Sequence, residues 1–145
     1  MKFKNESPFG KSFLMKIVKF TMKFSYQKGK NTTIRFRYLP GDKTTGLAYI
    51  QTDGYHIEYC IDINIGGGSK FPCTNVYKKS VGGVSLSSRE EELVLYLAHE
   101  LRHVDVFAEW VKVKQSEVDA ERHAHTVLGY WRVKRERKEV LTKKW

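Results

Sequence analysis

His99-Glu100-Leu101-Arg102-His103 reads H-E-x-x-H, and that spacing can do chemistry. On an α-helix, residues four apart lie one turn above another on a single face. Two imidazoles so placed can grip one Zn²⁺. The glutamate beside the first can reach a water on the same ion and act as general base. The preceding run, Leu93-Val-Leu-Tyr-Leu-Ala98, is apolar on all sides. Such a helix belongs in the middle of a domain, where a site is held rigidly. The competing reading is an ordinary helix with one histidine capping and one packed.

A catalytic zinc takes three protein ligands and keeps one position open. The continuation H-E-x-x-H-x-x-G-x-x-H is absent, since Val106 and Glu109 stand where its glycine and last histidine would be. Candidates for the third ligand follow later: Glu117, Asp119, Glu121, His123 and His125. Glu117, Ala120, Ala124, Leu128 and Trp131 recur at helical spacing and share one stripe. That stripe is otherwise apolar, and its two alanines allow close approach to the motif helix. A carboxylate at the end of a core-facing stripe needs a partner, because burying it alone is costly. A metal is such a partner, so Glu117 is the favoured ligand, with His123 or His125 as alternatives. The plainer explanation of Glu117 is that acids are favoured in a first helical turn. Glu121 flanks the stripe and could accept a hydrogen bond from a ligand histidine. An oxyanion donor could come from Tyr130, His123 or the 66–86 segment, and the sequence does not choose among them.

These residues need elements to position them. Ser88 and Glu91 form a capping box that opens the motif helix, expected to run to about Trp110. Ser116 and Asp119 form a second one, opening a last long helix that ends within the basic stretch Arg132 to Lys144. Upstream, Phe13 to Phe24 carries apolar residues at helical spacing after Ser12, a candidate cap. Thr33–Leu39 alternates, with Ile34, Phe36 and Tyr38 on one face and Arg35 and Arg37 on the other. Gly46–Thr52 is a second strand, closed by the hairpin signal Asp53-Gly54. Tyr55 to Ile65 is a third, with Ile57, Tyr59, Ile61, Ile63 and Ile65 inward. The expected class is α+β: an N-terminal helix, a three-stranded antiparallel meander with one wet face, then two packed helices carrying the site. Residues 66–86 read as a long connection, of the kind that serves as a lid or flap. Gly66-Gly-Gly-Ser-Lys70 lacks the G-x-x-x-x-G-K-[ST] spacing of a phosphate loop.

The chain's 145 residues suit one domain, 1–145, with 1–12 and 137–145 expected to be flexible. Net charge is +10 and unevenly spread. Residues 1–30 hold eight lysines and one glutamate, and residues 132–145 hold seven basic and two acidic residues. Residues 84–121, around the motif, hold four basic and nine acidic ones. A basic shell around an acidic centre suits a cation site in a protein that touches polyanions weakly through its ends, although solubility alone explains it too. Cys60 and Cys73 do not form C-x-x-C and read as reduced thiols of a cytoplasmic protein. Lys16, Lys19 and Lys23 break the early apolar run, so neither a signal peptide nor a membrane span is expected.

H-E-L-R-H at 99–103, followed by E-V-D-A-E-R-H-A at 117–124, resembles the ImmA/IrrE-type compact zincins of bacteria and phages. Gly46-Leu-Ala-Tyr and the strand Tyr55 to Ile65 sit where that family has its central hairpin. The resemblance implies a zinc metallopeptidase of gluzincin type acting on a protein or peptide, with His99, His103 and Glu117 as ligands and Glu100 as base. Asp119, Glu121 and His123 depart from the family's Glu, Asn and Phe. SprT-like metalloproteases, which associate with DNA, share H-E-x-x-H but use a histidine as third ligand. Two further readings stand beside the peptidase: a nucleic-acid-associated protein using its basic ends, and a zinc module without catalysis.

Overall fold

The motif helix, α2 (Arg89–Phe107), forms where local sequence demands it. The Ser88 hydroxyl accepts a hydrogen bond from the Glu91 N–H, as a capping box requires. The Glu91 side chain reaches past the cap and accepts from the Ser87 N–H instead. Leu93, Val94, Leu95, Leu97, Ala98, Leu101 and Val104 are all buried, so the helix is enclosed on nearly every side, as its all-round apolarity predicts. It ends earlier than expected. Ala108 caps it, and Glu109 takes a left-handed conformation (φ 63°) that turns the chain.

The computed structural model describes residues 1–77 and 82–143. Among them the fold is α+β, with three helices, a mixed four-stranded sheet and a small two-stranded sheet. The strands are β1 (Lys2–Glu6), β2 (Thr32–Leu39), β3 (Thr45–Asp53) and β4 (His56–Gly66), in the order β1-β2-β4-β3. The meander expected from short links is therefore corrected. Within this four-stranded sheet only β3 and β4 are antiparallel, while β2 runs parallel to both β1 and β4.

The reason lies in the glycines. From the end of β2 the chain steps across the end of β4 before descending as β3, and Gly66-Gly67-Gly68 pass beneath that step. A Cβ at Gly66 would run into the backbone of Lys43, and one at Gly67 into Pro40. The Gly67 N–H donates to the Leu39 carbonyl and the Gly68 N–H to Asp42, which seals the crossing. The three glycines thus serve close backbone approach.

Residues 1–12 are not a loose end: β1 pairs with β2, and α1 (Lys11–Met22) bridges the two strands. Gly10, not Ser12, occupies the cap position of α1, without a side-chain bond. Within 66–86 lie β5 (Cys73–Tyr77) and β6 (Gly82–Leu86), an antiparallel pair. Val84 and Leu86 are buried, so β6 is anchored to the core and is no free flap. The last helix, α3 (Ser116–Lys143), continues through 137–143, which the sequence had suggested to be flexible.

The core lies between the inner face of the sheet (Ile34, Phe36, Ile61, Ile63, Ile65) and the three helices. The outer face is polar: Arg35 grips Asp62 with two hydrogen bonds of 3.1 Å, and Thr33 donates to Glu58. Cys60 and Cys73 are free thiols, both pushed up in pKa by burial. Among the described residues, no helix is long and apolar enough to cross a membrane.

Candidate metal centre

Three donor atoms meet where the last turns of α2 face the first turn of α3. His99 Nε2 and His103 Nε2 lie 3.1 Å apart. The Glu117 carboxylate closes the triangle, with one oxygen 2.9 Å from His99 Nε2 and the other 3.1 Å from His103 Nε2. Ligand atoms of a tetrahedral zinc, each about 2.0–2.1 Å from the ion, stand roughly 3.3 Å from one another. The observed spacing is close to that, and the donor set of two imidazoles and a carboxylate suits zinc. Nε2 atoms turned toward one another bring two lone pairs together unless a proton or a cation lies between them.

Glu100 is set apart from this triangle. Its carboxylate lies within 4.8 Å of both imidazoles, but its nearest contact with His99 Nε2 is 3.9 Å, longer than either Glu117 contact. That separation fits a group acting on a water next to the metal better than a ligand. Burial, helped by the Glu117 charge, raises its pKa to about 7. Burial also lowers the pKa of His99; the neighbouring His103 adds to this, while Glu117 and Glu121 oppose it. A neutral imidazole is the form that ligates a metal.

Several residues position the cluster. The Ala120 and Ala124 stripe is fully buried against α2, as its small side chains require. Glu117, at the end of that stripe, keeps 49% of its side chain exposed, so the triangle opens to solvent on this side. A cleft of about 580 Å³, lined by Gln115, Ser116, Glu117 and Val118, lies beside it. Arg102 donates to both Asp119 oxygens, at 2.7 and 3.3 Å, and so fixes the first turn of α3 against α2. Asp119 is therefore committed to Arg102 rather than to a cap. At the other end of the motif, Asp105 is fully buried and accepts from the Ser25 hydroxyl and the Tyr26 and Gln27 N–H groups.

The remaining sequence candidates fall in different places. Glu121 is buried and close enough to influence His99 electrostatically. His123 is half-buried, and burial lowers its pKa, aided by the Arg102 charge; among the described residues no hydrogen bond joins it to the triangle. His125 is exposed. Tyr130 is corrected as an oxyanion donor. It lies thirteen residues along α3 from Glu117, roughly 20 Å at helical rise, and stacks on Phe24 with centroids 5.4 Å apart.

One neighbour of the site escaped sequence reasoning about chemistry. Gly46 of β3 lies against Glu100, so that a Cβ there would sit 3.0 Å from Glu100 Cγ and 3.3 Å from Ile63 Cδ1. Nothing local to Gly46 signals this, because the contact depends on how the sheet docks on α2. No family model, curated protein or solved structure matches this chain.

Proposed function

We propose that this chain is a zinc-dependent metallopeptidase of the compact zincin type, similar in its site to the ImmA/IrrE group, with a protein or peptide as substrate. The observation that carries the proposal is the meeting of His99, His103 and Glu117 donor atoms at 2.9–3.1 Å, with buried Glu100 behind them. A Zn²⁺ held by those three residues supplies an acidified water and a Lewis acid for a carbonyl oxygen. Glu100 takes the proton of the attacking water on a carboxylate oxygen and delivers it to the leaving amine. A raised proton affinity suits a group that must both accept and donate near neutrality. Glu121 supports His99 electrostatically from the buried side.

Strand β3 offers a seat for the substrate. It is the edge of the sheet, and among the described residues its outer side pairs with no strand. Leu47 and Ile50 on it are 57% and 44% exposed. An extended peptide adding to this edge would gain main-chain hydrogen bonds and pass near Glu100, which packs against Gly46 of the same strand. The likeness of this arrangement to a minimal zincin belongs to the same proposal.

Metal analysis tests it. The purified protein is expected to hold about one zinc per chain, lost in Glu117→Ala and kept in His123→Ala. Wild-type protein that takes up no zinc when supplied would remove the reading. Loss in His123→Ala alone would transfer the third ligand to His123, as in SprT-like enzymes. A zinc module without catalysis has no use for Glu100, so zinc content without any dependence of turnover on Glu100 would favour that alternative.

A further inference from the structure

We propose that α1 and the C-terminal half of α3 together form a docking face for the phosphate backbone of duplex nucleic acid. The two ends of the chain are its basic parts, and the fold brings them side by side. No Asp or Glu occurs between Glu6 and Asp42. Lys16, Lys19 and Lys23 recur at i, i+3 and i+7, one stripe along α1 and its C-cap, and all three are exposed. On α3, Lys134, Arg137 and Lys138 form a second exposed stripe, while helical geometry turns Glu136 and Glu139 to other sides.

Contacts between the helices join these stripes. Phe20 packs edge-on against Trp131, with centroids 5.0 Å apart, and Phe24 stacks on Tyr130. Lys16 Nζ lies 5.4 Å from the Trp131 ring, and Lys134 Nζ lies 5.4 Å from Phe20. Each helix thus sets a cation over an aromatic ring of the seam. Arg132 and Arg135 are engaged by Glu91, and Lys16 reaches Glu90 at 3.6 Å. Lys19, Lys23, Lys134 and Arg137 have no carboxylate partner among the described residues.

The chemistry favours a polyanion over a lipid surface. A helix lying on a membrane must present a wide apolar stripe to it. Of the apolar residues of α1, Leu14, Ile17, Val18 and Phe20 are buried in the core, and Phe13, Met15 and Met22 are partly buried against it, so no wide apolar stripe is left over. Besides its cations the face exposes Tyr130 and Val133, with Glu90 beside Lys16 at its edge. Phosphates require only cations, and binding of this kind is blind to sequence and strongly dependent on salt. On α3 the face begins roughly 20 Å from Glu117.

The test is binding of a short labelled duplex of mixed sequence, followed by fluorescence anisotropy across a salt series. Two triple variants remove equal charge from exposed positions: Lys19→Ala with Lys23→Ala and Arg137→Ala, and Lys70→Ala with Lys112→Ala and Lys114→Ala. The first should weaken binding about a hundredfold near 0.1 M salt and reduce the slope of log affinity against log salt by about 2.7. The second should stay within a few-fold of wild type. Equal losses in the two triples would reduce the effect to net charge and overturn the proposal. So would wild-type protein that ignores the duplex, or that binds phosphatidylserine vesicles and not the duplex.

Discussion

Glu100 and His99 are neighbours in sequence with different proposed tasks, and their surroundings set them apart. His99 turns its Nε2 to His103 and Glu117, whereas Glu100 is buried against Gly46. Glu100→Gln keeps the shape of the side chain and removes the proposed base. It should leave zinc content unchanged and lower turnover by a factor of about 10² to 10⁴; turnover at the wild-type level would refute the assignment of Glu100. Gly46→Ala tests the same contact from the strand side. Its new methyl meets Glu100 Cγ at 3.0 Å, so the carboxylate must shift. The expected outcome is a kcat reduced about tenfold or more, with zinc content retained. The histidine pair was legible in the sequence because one helical turn fixes it locally. The stripe that singled out Glu117 is buried at Ala120 and Ala124 as expected, but Glu117 itself stays half exposed, because the stripe reaches the surface at the first turn of α3. The Gly46 contact and the Arg102–Asp119 pair were not legible, because each joins residues whose proximity is decided only when separate elements dock.

At the scale of elements, the site depends on how closely α2 and α3 approach. Ala120 and Ala124 permit that approach, and both are fully buried. Ala120→Leu should force the helices apart at the turn that carries Glu117, costing about 1–3 kcal/mol of stability. Zinc affinity should fall more than tenfold, readable by competition with a chromogenic chelator; unchanged affinity would mean that Glu117 does not depend on this packing. The far end of the helix pair is held by Glu91, a buried carboxylate to which Arg132 and Arg135 donate while Arg132 also reaches the Ser85 carbonyl of β6. Burial pushes Glu91 up, but Arg132 and the Ser87 N–H outweigh it and bring its pKa down to about 2. A carboxyl depressed from 4.5 contributes stability that is fully present above about pH 4.5 and lost as pH falls through about 2. The shift corresponds to about 3 kcal/mol, reduced to about 2 because both arginines remain partly in water. Glu91→Gln should therefore cost about 2 kcal/mol near pH 7 in chemical denaturation, and the gap should close toward pH 2. The three helices were readable from periodicity and from the Ser88 cap. The sheet order was not, since the alternation of β2 and β4 fixes which faces are buried but not which strands are neighbours.

At the scale of the whole molecule, the candidate ligands come from two helices that meet only in the folded chain. His99 and His103 lie on α2, and Glu117 follows on α3 after a link that Asp105 helps to close, its carbonyl accepting from the Trp110 and Val111 N–H groups. An unfolded chain keeps the two histidines near each other but has no fixed position for Glu117. A metal that needs all three therefore binds the folded state preferentially and adds to stability by mass action, about 4 kcal/mol when free metal is a thousandfold above its dissociation constant. For a domain of this size each kcal/mol moves the melting temperature by about 2–4 °C, so zinc should raise Tm by about 10 °C over the metal-stripped protein. Glu117→Ala should melt close to the stripped wild type and show little response to zinc. The comparison separates the two explanations open for Glu117. If it merely favours the first turn of α3, the variant loses a little stability with or without zinc and keeps the zinc-dependent rise. If it is a ligand, the rise itself disappears.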